Sequence, residues 1–351
     1  MTGARAALEG TNPQLQRRIS MPASTIGPWL PEGDLGAALA DGLVRVETAL
    51  IEAVGSEHAF IREAAGHLMS AGGKRFRPML TLLAAQLGDP RAPGVTESAV
   101  VCELTHLATL YHDDVMDEAV VRRGAPSANS RWTNSVAILT GDLLFARASD
   151  LLADLGPEAV RIQAQTFERL VTGQIRETVG AEDGIDPVAH YLDVLADKTG
   201  SLVATSARFG ASFAGVEESL VRELTAFAEE VGVAFQLSDD LIDIVSEGGA
   251  SGKSPGTDLR EGIATLPVLF ALAGDDPADA RLRELVAGPV TDDDEHAEAL
   301  ALLRSSAALE RANDVLAQYA DRARARLDAV PAGDVRDALS ALCDYVVTRT
   351  S

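Results

Sequence analysis

The sequence predicts an all-α fold. Three observations carry that reading. Apolar residues recur three to four apart in nearly every stretch from about residue 35 onward, the period of a helix with one buried face. No run of alternating apolar and polar residues demands a strand. Ala and Leu are abundant while only 4% of residues are aromatic, a balance that favours helix over sheet.

Taken in order, the periodicity predicts helices over 43–54, 59–70, 78–87, 97–118, 135–154, 158–179, 188–197, 201–214, 218–246, 263–272, 298–328 and 334–348. The breaks between them are rich in Gly and Pro: GDPRAPG at 88–94, RRGAPSAN at 122–129 and GGASGKSPGTD at 248–258. Residues 1–33 hold Gly, Pro and polar residues without periodicity and read as a flexible tail. The helical region fills 34–351. The tail has Arg5, Arg17 and Arg18 but no continuous apolar core, so no secretory signal is expected. Glu9 and Glu32 argue against a transit peptide. No stretch approaches the ~20 apolar residues that span a bilayer.

With a net charge of −23, nucleic acid is excluded as a partner, because phosphate backbones need basic patches. Cys102 and Cys343 sit in apolar helical contexts. They read as small core hydrophobes in a reducing compartment, and a cytoplasmic location is expected.

Two aspartate clusters of equal spacing dominate the chain. Asp113, Asp114 and Asp117 lie in LATLYHDDVMDEAV; Asp239, Asp240 and Asp243 lie in VAFQLSDDLIDIV. Positions i, i+1 and i+4 of a helix fall within roughly a 100° arc. Each cluster is therefore expected to put three carboxylates on one helix face, opposite the apolar Leu107, Leu110, Val115, Phe235, Leu237 and Ile242. Like charges in an apolar setting need a counter-ion. Two such groups facing each other would cage hard divalent cations, of which Mg²⁺ with a phosphate-bearing substrate is the usual case.

Spacing alone does not decide this. With 53 acids in 351 residues, the pattern arises about once by chance. It recurs at Glu182, Asp183 and Asp186, at Asp275, Asp276 and Asp279, and at Asp294, Glu295 and Glu298. Those three sit in loop-like or solvated segments. The two apolar clusters differ from them in setting and in the basic residues nearby.

Gly72-Gly73-Lys74-Arg75-Phe76-Arg77-Pro78 lies between two helices. Lys74 and Arg77 there can face an anion, near helix N–H groups that favour negative charge. Read as a structural element, the same stretch is an ordinary basic turn. Arg122 and Arg123 follow the first cluster and offer forked donors to phosphate, or else they neutralise an acidic helix end. Lys198 and Thr199 end a short helix at DKTG. Lys253 lies in the Gly-rich segment after the second cluster, a natural lid over a charged site. His106 and Gln236 precede their clusters on the aspartate side; alone, either would be structural.

In these motifs the chain resembles the trans-polyprenyl diphosphate synthases, the head-to-tail isoprenoid chain elongation enzymes. GGKRFRP, HDDVMDEAVVRRG, DKTGSL, FQLSDDLIDI and GKSPGTDLREG…TLP occur in the family's order from about residue 40 to the C-terminus. The resemblance implies antiparallel helices around a central cavity, one catalytic domain over 34–351, and a homodimer. It implies that Asp113, Asp114, Asp117, Asp239, Asp240 and Asp243 hold Mg²⁺, about three ions per active site, bridging an allylic diphosphate. Lys74, Arg77, His106 and Arg123 match positions that grip isopentenyl diphosphate. Arg122, Lys198, Thr199, Gln236 and Lys253 match those around the allylic diphosphate, which is geranyl, farnesyl or geranylgeranyl diphosphate. Among these, Asp113, Asp114, Asp117, Arg122, Lys198, Asp239 and Asp240 are the expected catalytic set. One departure stands out: Ile263 occupies a place where many members carry lysine, and Arg260 is the residue nearest to replace it.

The reaction implied is ionisation of the allylic diphosphate, attack by the double bond of isopentenyl diphosphate, and loss of a proton. Product length is read from the face of the first aspartate helix. Thr109, Thr105 and Cys102, with Ala108 beside them, are all small. A prenyl chain running down that face meets no Phe or Tyr over roughly 16 Å at 1.5 Å per residue. This favours a long product, seven to ten isoprene units with nine expected. It also fits a resemblance to actinobacterial members that make the menaquinone side-chain precursor. The alternatives are a geranylgeranyl diphosphate synthase, a terpene cyclase and a non-catalytic subunit. GGKRFRP has no purpose in a cyclase, and a non-catalytic partner would be expected to have lost one cluster. A product this apolar implies a peripheral membrane contact for its release, although no amphipathic anchor is evident.

Overall fold

A computed structural model of the chain describes residues 31–246 and 255–349. Residues 1–30 and most of the Gly-rich segment, Lys253 included, lie outside the described residues. The chain divides into two compact units. The first runs to Gln165 and takes in Thr205–Leu224 and Ala332–Ala338; the second holds Thr166–Ala204, Thr225–Pro331 and the chain from Leu339.

Helix α1 (Gly33–Ala53) buries Leu35, Leu39, Leu43, Val46 and Leu50, a stripe at three- and four-residue spacing. It starts about ten residues before the predicted element, because Leu35 and Leu39 extend the same stripe. Next come α2 (Ala59–Ala71) and α3 (Phe76–Ala85), the latter buried from Pro78 to its end. Helix α4 (Val95–Met116) carries the first aspartates. It is buried on nearly every face and packs against α1, α3 and α6, as an apolar helix in a bundle interior must.

Two short strands, β1 (Val121–Arg122) and β2 (Ala125–Pro126), pair antiparallel in the register Val121↔Pro126 and Arg122↔Ala125. No alternating pattern announced them. Their turn is Arg123–Gly124, both at positive φ (54° and 73°), the backbone a two-residue hairpin requires. The short α5 (Ala128–Arg131) is capped by the Ser127 hydroxyl, and α6 (Asn134–Leu155) by that of Thr133. Helix α7 (Pro157–Val179) follows.

Helix α8 (Pro187–Leu195) begins with an Asp186 cap and a proline in its first turn, both standard start signals. It runs through a π-helical turn, Ala196–Gly200, into α9 (Ser201–Phe213). Helix α10 (Glu218–Val245) carries the second aspartates. The rest comprises α11 (Thr257–Glu261), α12 (Leu266–Ala273), α13 (Ala280–Leu285), α14 (Asp293–Arg304), α15 (Ala307–Arg326) and α16 (Asp334–Thr348). The predicted helix 298–328 is therefore two helices. Ser305 and Ser306 part them, and the Ser306 hydroxyl accepts the Leu309 N–H to start the second. In the second unit α12 packs on α15 and α8. Among the described residues no helix is long and apolar enough to cross a membrane.

Candidate active site

In the first unit, α2 ends at Ala71 and the backbone turns through Gly72 and Gly73, both at φ 136°. A Cβ on Gly73 would lie 2.9 Å from Arg75 Nη1 and 3.0 Å from Arg123 Cζ. Glycine there lets two guanidinium groups close on one stretch of backbone. Arg75, itself at φ 50°, turns inward. It donates to Glu47 at 2.5 Å, to Glu103 at 2.9 Å and to the Met69 carbonyl at 3.2 Å. Burial would lower its pKa, but Glu103 and Glu47 hold it above the ordinary value. Arg75 is thus a satisfied structural cation.

Arg77 differs. Its Nε is buried without a hydrogen-bond partner, and burial depresses its pKa against the pull of Glu103. Arg123 donates through Nη1 to the carbonyls of Leu68 (3.1 Å) and Gly72, and its Nη2 lies 3.5 Å from His106 Nε2. His106 is held well below its ordinary pKa, first by burial and then by Arg77, Arg123, Arg75 and Arg122. It is therefore neutral at physiological pH and accepts at Nε2. Arg77, His106 and Arg123, which the resemblance grouped with Lys74, lie close enough to form one cluster, and Lys74 is exposed. Several cations repelling a proton from one imidazole mark a place where an anion is stabilised.

The first aspartates do not share one open face. Asp114 is 0% exposed and accepts from Arg122 Nε at 2.6 Å, while Arg122 Nη2 sits 3.7 Å from Asp117. Helix α4 ends at Met116, so Asp117 is its C-cap. Neighbouring positions on a helix lie 100° apart, and of the adjacent pair here Asp114 is the one turned toward the core while Asp113 is half-buried. Burial raises the Asp114 pKa, opposed by Arg122, and Asp114 Oδ2 has no partner. On the far side Leu107 is buried, while Leu110 and Val115 are half-exposed. Tyr111 ties α4 to α2: its hydroxyl donates to the Ala64 carbonyl and accepts the Leu68 N–H at 3.2 Å. Burial raises the pKa of that phenol.

Along the small-residue face, Cys102, Thr105 and Ala108 are fully buried and Thr109 is half-buried. The face is covered. Gln163 of α7 donates to Thr105 Oγ1 at 2.8 Å, with its own Oε1 buried and unpartnered, and Cys102 meets the Ser206 hydroxyl. Burial pushes the Cys102 thiol up to about 12, so it is inert. Neither Gln163 nor Ser206 was legible as part of this face, since each comes from another helix.

The second unit repeats the one-in, one-out arrangement. Asp240 is buried; it accepts from Gln236 Nε2 at 2.9 Å and from the Tyr191 hydroxyl. Burial pushes its carboxyl up to about 6, with Glu177 and Asp243 adding to the shift and the two hydrogen bonds opposing it. Asp239 is exposed and pairs with Arg349. Arg349 also donates to Ser238 at 2.7 Å and stacks 4.2 Å from the Phe235 ring. Asp243 accepts the Asp258 N–H at 3.1 Å through Oδ2, and its backbone carbonyl accepts the Gly256 N–H at 2.8 Å. It thereby anchors the start of α11. Leu237 is buried, while Phe235 and Ile242 are half-exposed.

Lys198 and Thr199 lie in the π-helical turn, a feature frequent at functional positions. Lys198 donates to Glu177 at 2.5 Å and Thr199 to Gln236 Oε1 at 3.4 Å. The turn is clasped by Arg169 and Arg176, which both bind Asp197. A Cβ on Gly173 would come within 2.8 Å of the Lys198 nitrogen, so the α7 backbone touches the turn there. Glu177, Tyr191 and Arg349 escaped the sequence reading. Tyr191 had one signal, as one of four tyrosines in the chain. Ile263 is exposed, and Arg260 binds Asp293 at 2.8 Å.

The donors fit a hard divalent cation in kind, being carboxylate oxygens. Asp114 Oδ2 is buried without a partner and Asp240 is pushed up to about 6, two buried carboxylates that the protein neutralises only in part. Among the described residues, no three His, Cys, Asp or Glu side chains converge to hold a metal.

A family model for polyprenyl synthetase matches residues 58–303. The chain is 52% identical over 330 residues to the nonaprenyl diphosphate synthase of Mycobacterium tuberculosis, covering 93% of this chain and 98% of that one. It is 39% identical to heptaprenyl diphosphate synthase component 2 of Geobacillus stearothermophilus, covering 89% and 97%. Among solved structures, the geranylgeranyl pyrophosphate synthase of Corynebacterium glutamicum, complexed with calcium and isoprenyl diphosphate, superposes with a TM-score of 0.83. It shares 46% identity and covers 92% of this chain and 99% of that one. The chain belongs to the polyprenyl synthetase family and is a prenyltransferase.

Proposed function

We propose that the protein condenses isopentenyl diphosphate head-to-tail with an allylic diphosphate and releases a long all-trans polyprenyl diphosphate. The product is in the range of seven to ten isoprene units, with nine expected, and serves as a menaquinone side-chain precursor. The observation that carries the reading is the cationic cluster of Arg77, His106 and Arg123 in a chain of net charge −23. So acidic a protein repels a diphosphate unless its cations are gathered at one place.

In this reading Lys74, Arg77, His106 and Arg123 hold isopentenyl diphosphate. Neutral His106 offers its remaining N–H to a phosphate oxygen. Lys198, Thr199 and Gln236, with Arg122 and Lys253, orient the allylic diphosphate. Asp113, Asp114, Asp117, Asp239, Asp240 and Asp243 would hold Mg²⁺, which when bound would supply charge neutralisation of the leaving group. As the carbon–oxygen bond breaks, negative charge grows on the departing diphosphate, and the cationic side chains stabilise it there. The double bond of isopentenyl diphosphate attacks the allylic cation, and the departed diphosphate takes the proton. The protein acts in the cytoplasm as a homodimer, and a membrane surface receives the product. Ile138 and Leu139, both exposed on α6, support a buried subunit interface on that helix.

A second reading, a geranylgeranyl diphosphate synthase, is favoured by Gln163 lying against Thr105. The test incubates the protein with Mg²⁺, labelled isopentenyl diphosphate and farnesyl diphosphate and resolves products by length. A ladder reaching thirty-five carbons or more is expected. Arrest at twenty selects the second reading, and no elongation with any primer refutes both.

A further inference from the structure

The hairpin that carries Arg122 and Arg123 has only two residues in each strand. A ribbon that short does not hold itself in water, so contacts outside it must hold both strands. Arg122 is tied to Asp114 and Arg123 to the Leu68 and Gly72 carbonyls; His67 of α2 ties down the other strand. Its Nε2 lies 2.8 Å from the carbonyl of Pro126, the last residue of β2. Its Nδ1 lies 3.1 Å from Arg131 Nη1. A guanidinium can only donate, so Nδ1 accepts, and the ring proton sits on Nε2 and is given to Pro126. Arg131 is fixed in turn by Glu63, one helical turn before His67, and by stacking 4.5 Å from the centre of the Trp132 ring. The Trp132 ring meets His67 edge to face at 5.1 Å. This ordered chain ends on the strand opposite the arginines.

We propose that His67 is a positioning residue for Arg123 and Arg122: it clamps β2 to α2 and so sets where the hairpin presents its guanidinium groups. The proposal rests on the reading that Arg123 binds isopentenyl diphosphate. His67 touches no substrate. It acts through the Pro126 carbonyl and the register Arg122↔Ala125. Arg123 reaches α2 independently, at Leu68 and Gly72, so loss of His67 loosens the hairpin without freeing it.

The test measures steady-state elongation at saturating farnesyl diphosphate and Mg²⁺, varying isopentenyl diphosphate. His67→Phe keeps the ring against Trp132 and removes both hydrogen bonds. It should raise KM for isopentenyl diphosphate about ten-fold, less than the ~10²-fold that a full ångström of misplacement can cost because Arg123 keeps its own contacts to α2, and change kcat less than about two-fold. His67→Gln, with an amide that donates at one end and accepts at the other, should recover most of the loss. Unchanged KM in His67→Phe, with or without a fall in Tm, overturns the proposal, as does a Gln variant no better than Phe. If His67→Phe does not fold, Arg131→Met decides by the same KM criterion, since Arg131 is 41% exposed and expendable to the core. Arg123→Gln run in parallel separates the two layers. A raised KM there with normal His67→Phe refutes only the clamp; normal KM in Arg123→Gln refutes the underlying assignment.

Discussion

Replacing Asp240 with Asn should make the metal-free protein more stable at pH 7 while abolishing elongation. Burial holds the Asp240 carboxyl at about 6 against a reference of 3.8. A raised acid favours the folded state when protonated. Its stability contribution is complete below pH 3.8 and is lost as pH rises through about 6. The shift is about two units, and at about 1.4 kcal/mol per unit the charged group costs about 3 kcal/mol at pH 7. An amide of the same shape removes that cost. One side of it must then present N–H to Tyr191 or Gln236, which now donate to both carboxylate oxygens. The mismatch returns about half of the gain. A net stabilisation of about 1–2 kcal/mol follows, a rise of a few degrees in Tm. The assay is thermal unfolding of wild type and Asp240→Asn from pH 5 to 8 without divalent cations. The wild-type deficit should close as pH falls through 6. A variant less stable than wild type at pH 7, or a gap that does not change with pH, would refute the account of Asp240 as an under-neutralised buried charge.

Arg75→Ala should cost about 3–5 kcal/mol in chemical denaturation, because Glu103 is left buried and Glu47 half-buried without their cation. Pyrophosphate should raise the His106 pKa toward its ordinary value, since a bound anion offsets the arginines that depress it; histidine NMR titration with and without pyrophosphate reads the shift. Because that pKa is depressed, His106 also withdraws stability as pH falls below 6.5, and His106→Gln should flatten this part of the pH profile. Thr109→Phe, at the half-buried position of the small-residue face, should shorten the product by at least one isoprene unit in the elongation assay, and an unchanged ladder would detach that face from chain length.

The helical fold was legible because burial follows the 3.6-residue period almost everywhere. It failed where packing did not set the boundary. Ser305 and Ser306 end one helix and cap the next inside a continuous apolar pattern, and the strands at 121–126 are too short to show alternation. The candidate site was legible as residue types but not as the surroundings of each side chain. Within the two groups of acids, Asp114 and Asp240 turn inward while Asp113 and Asp239 lie nearer the surface. What each inward carboxylate meets is set by tertiary structure: Tyr191 lies 49 residues from Asp240, and no local pattern links them.

The pair Arg75 and Arg77 shows why such roles need coordinates. They are two residues apart at the start of one helix, and composition treats them alike. Arg75 finds Glu47 and Glu103, both from other helices, and is pinned by them. Arg77 has the same chemistry, but its Nε is buried with no acceptor, and its pKa falls where that of Arg75 rises. A buried donor without a partner carries an energetic cost that an incoming acceptor removes, so the unsatisfied arginine is the one able to add affinity. Acidic residues far outnumber basic ones here, and among the described residues many arginines are paired with nearby carboxylates, as Arg169, Arg176 and Arg281 are. The excess of acid thus does structural work: it neutralises cations elsewhere and leaves an unmet demand for an anion at Arg77, beside His106.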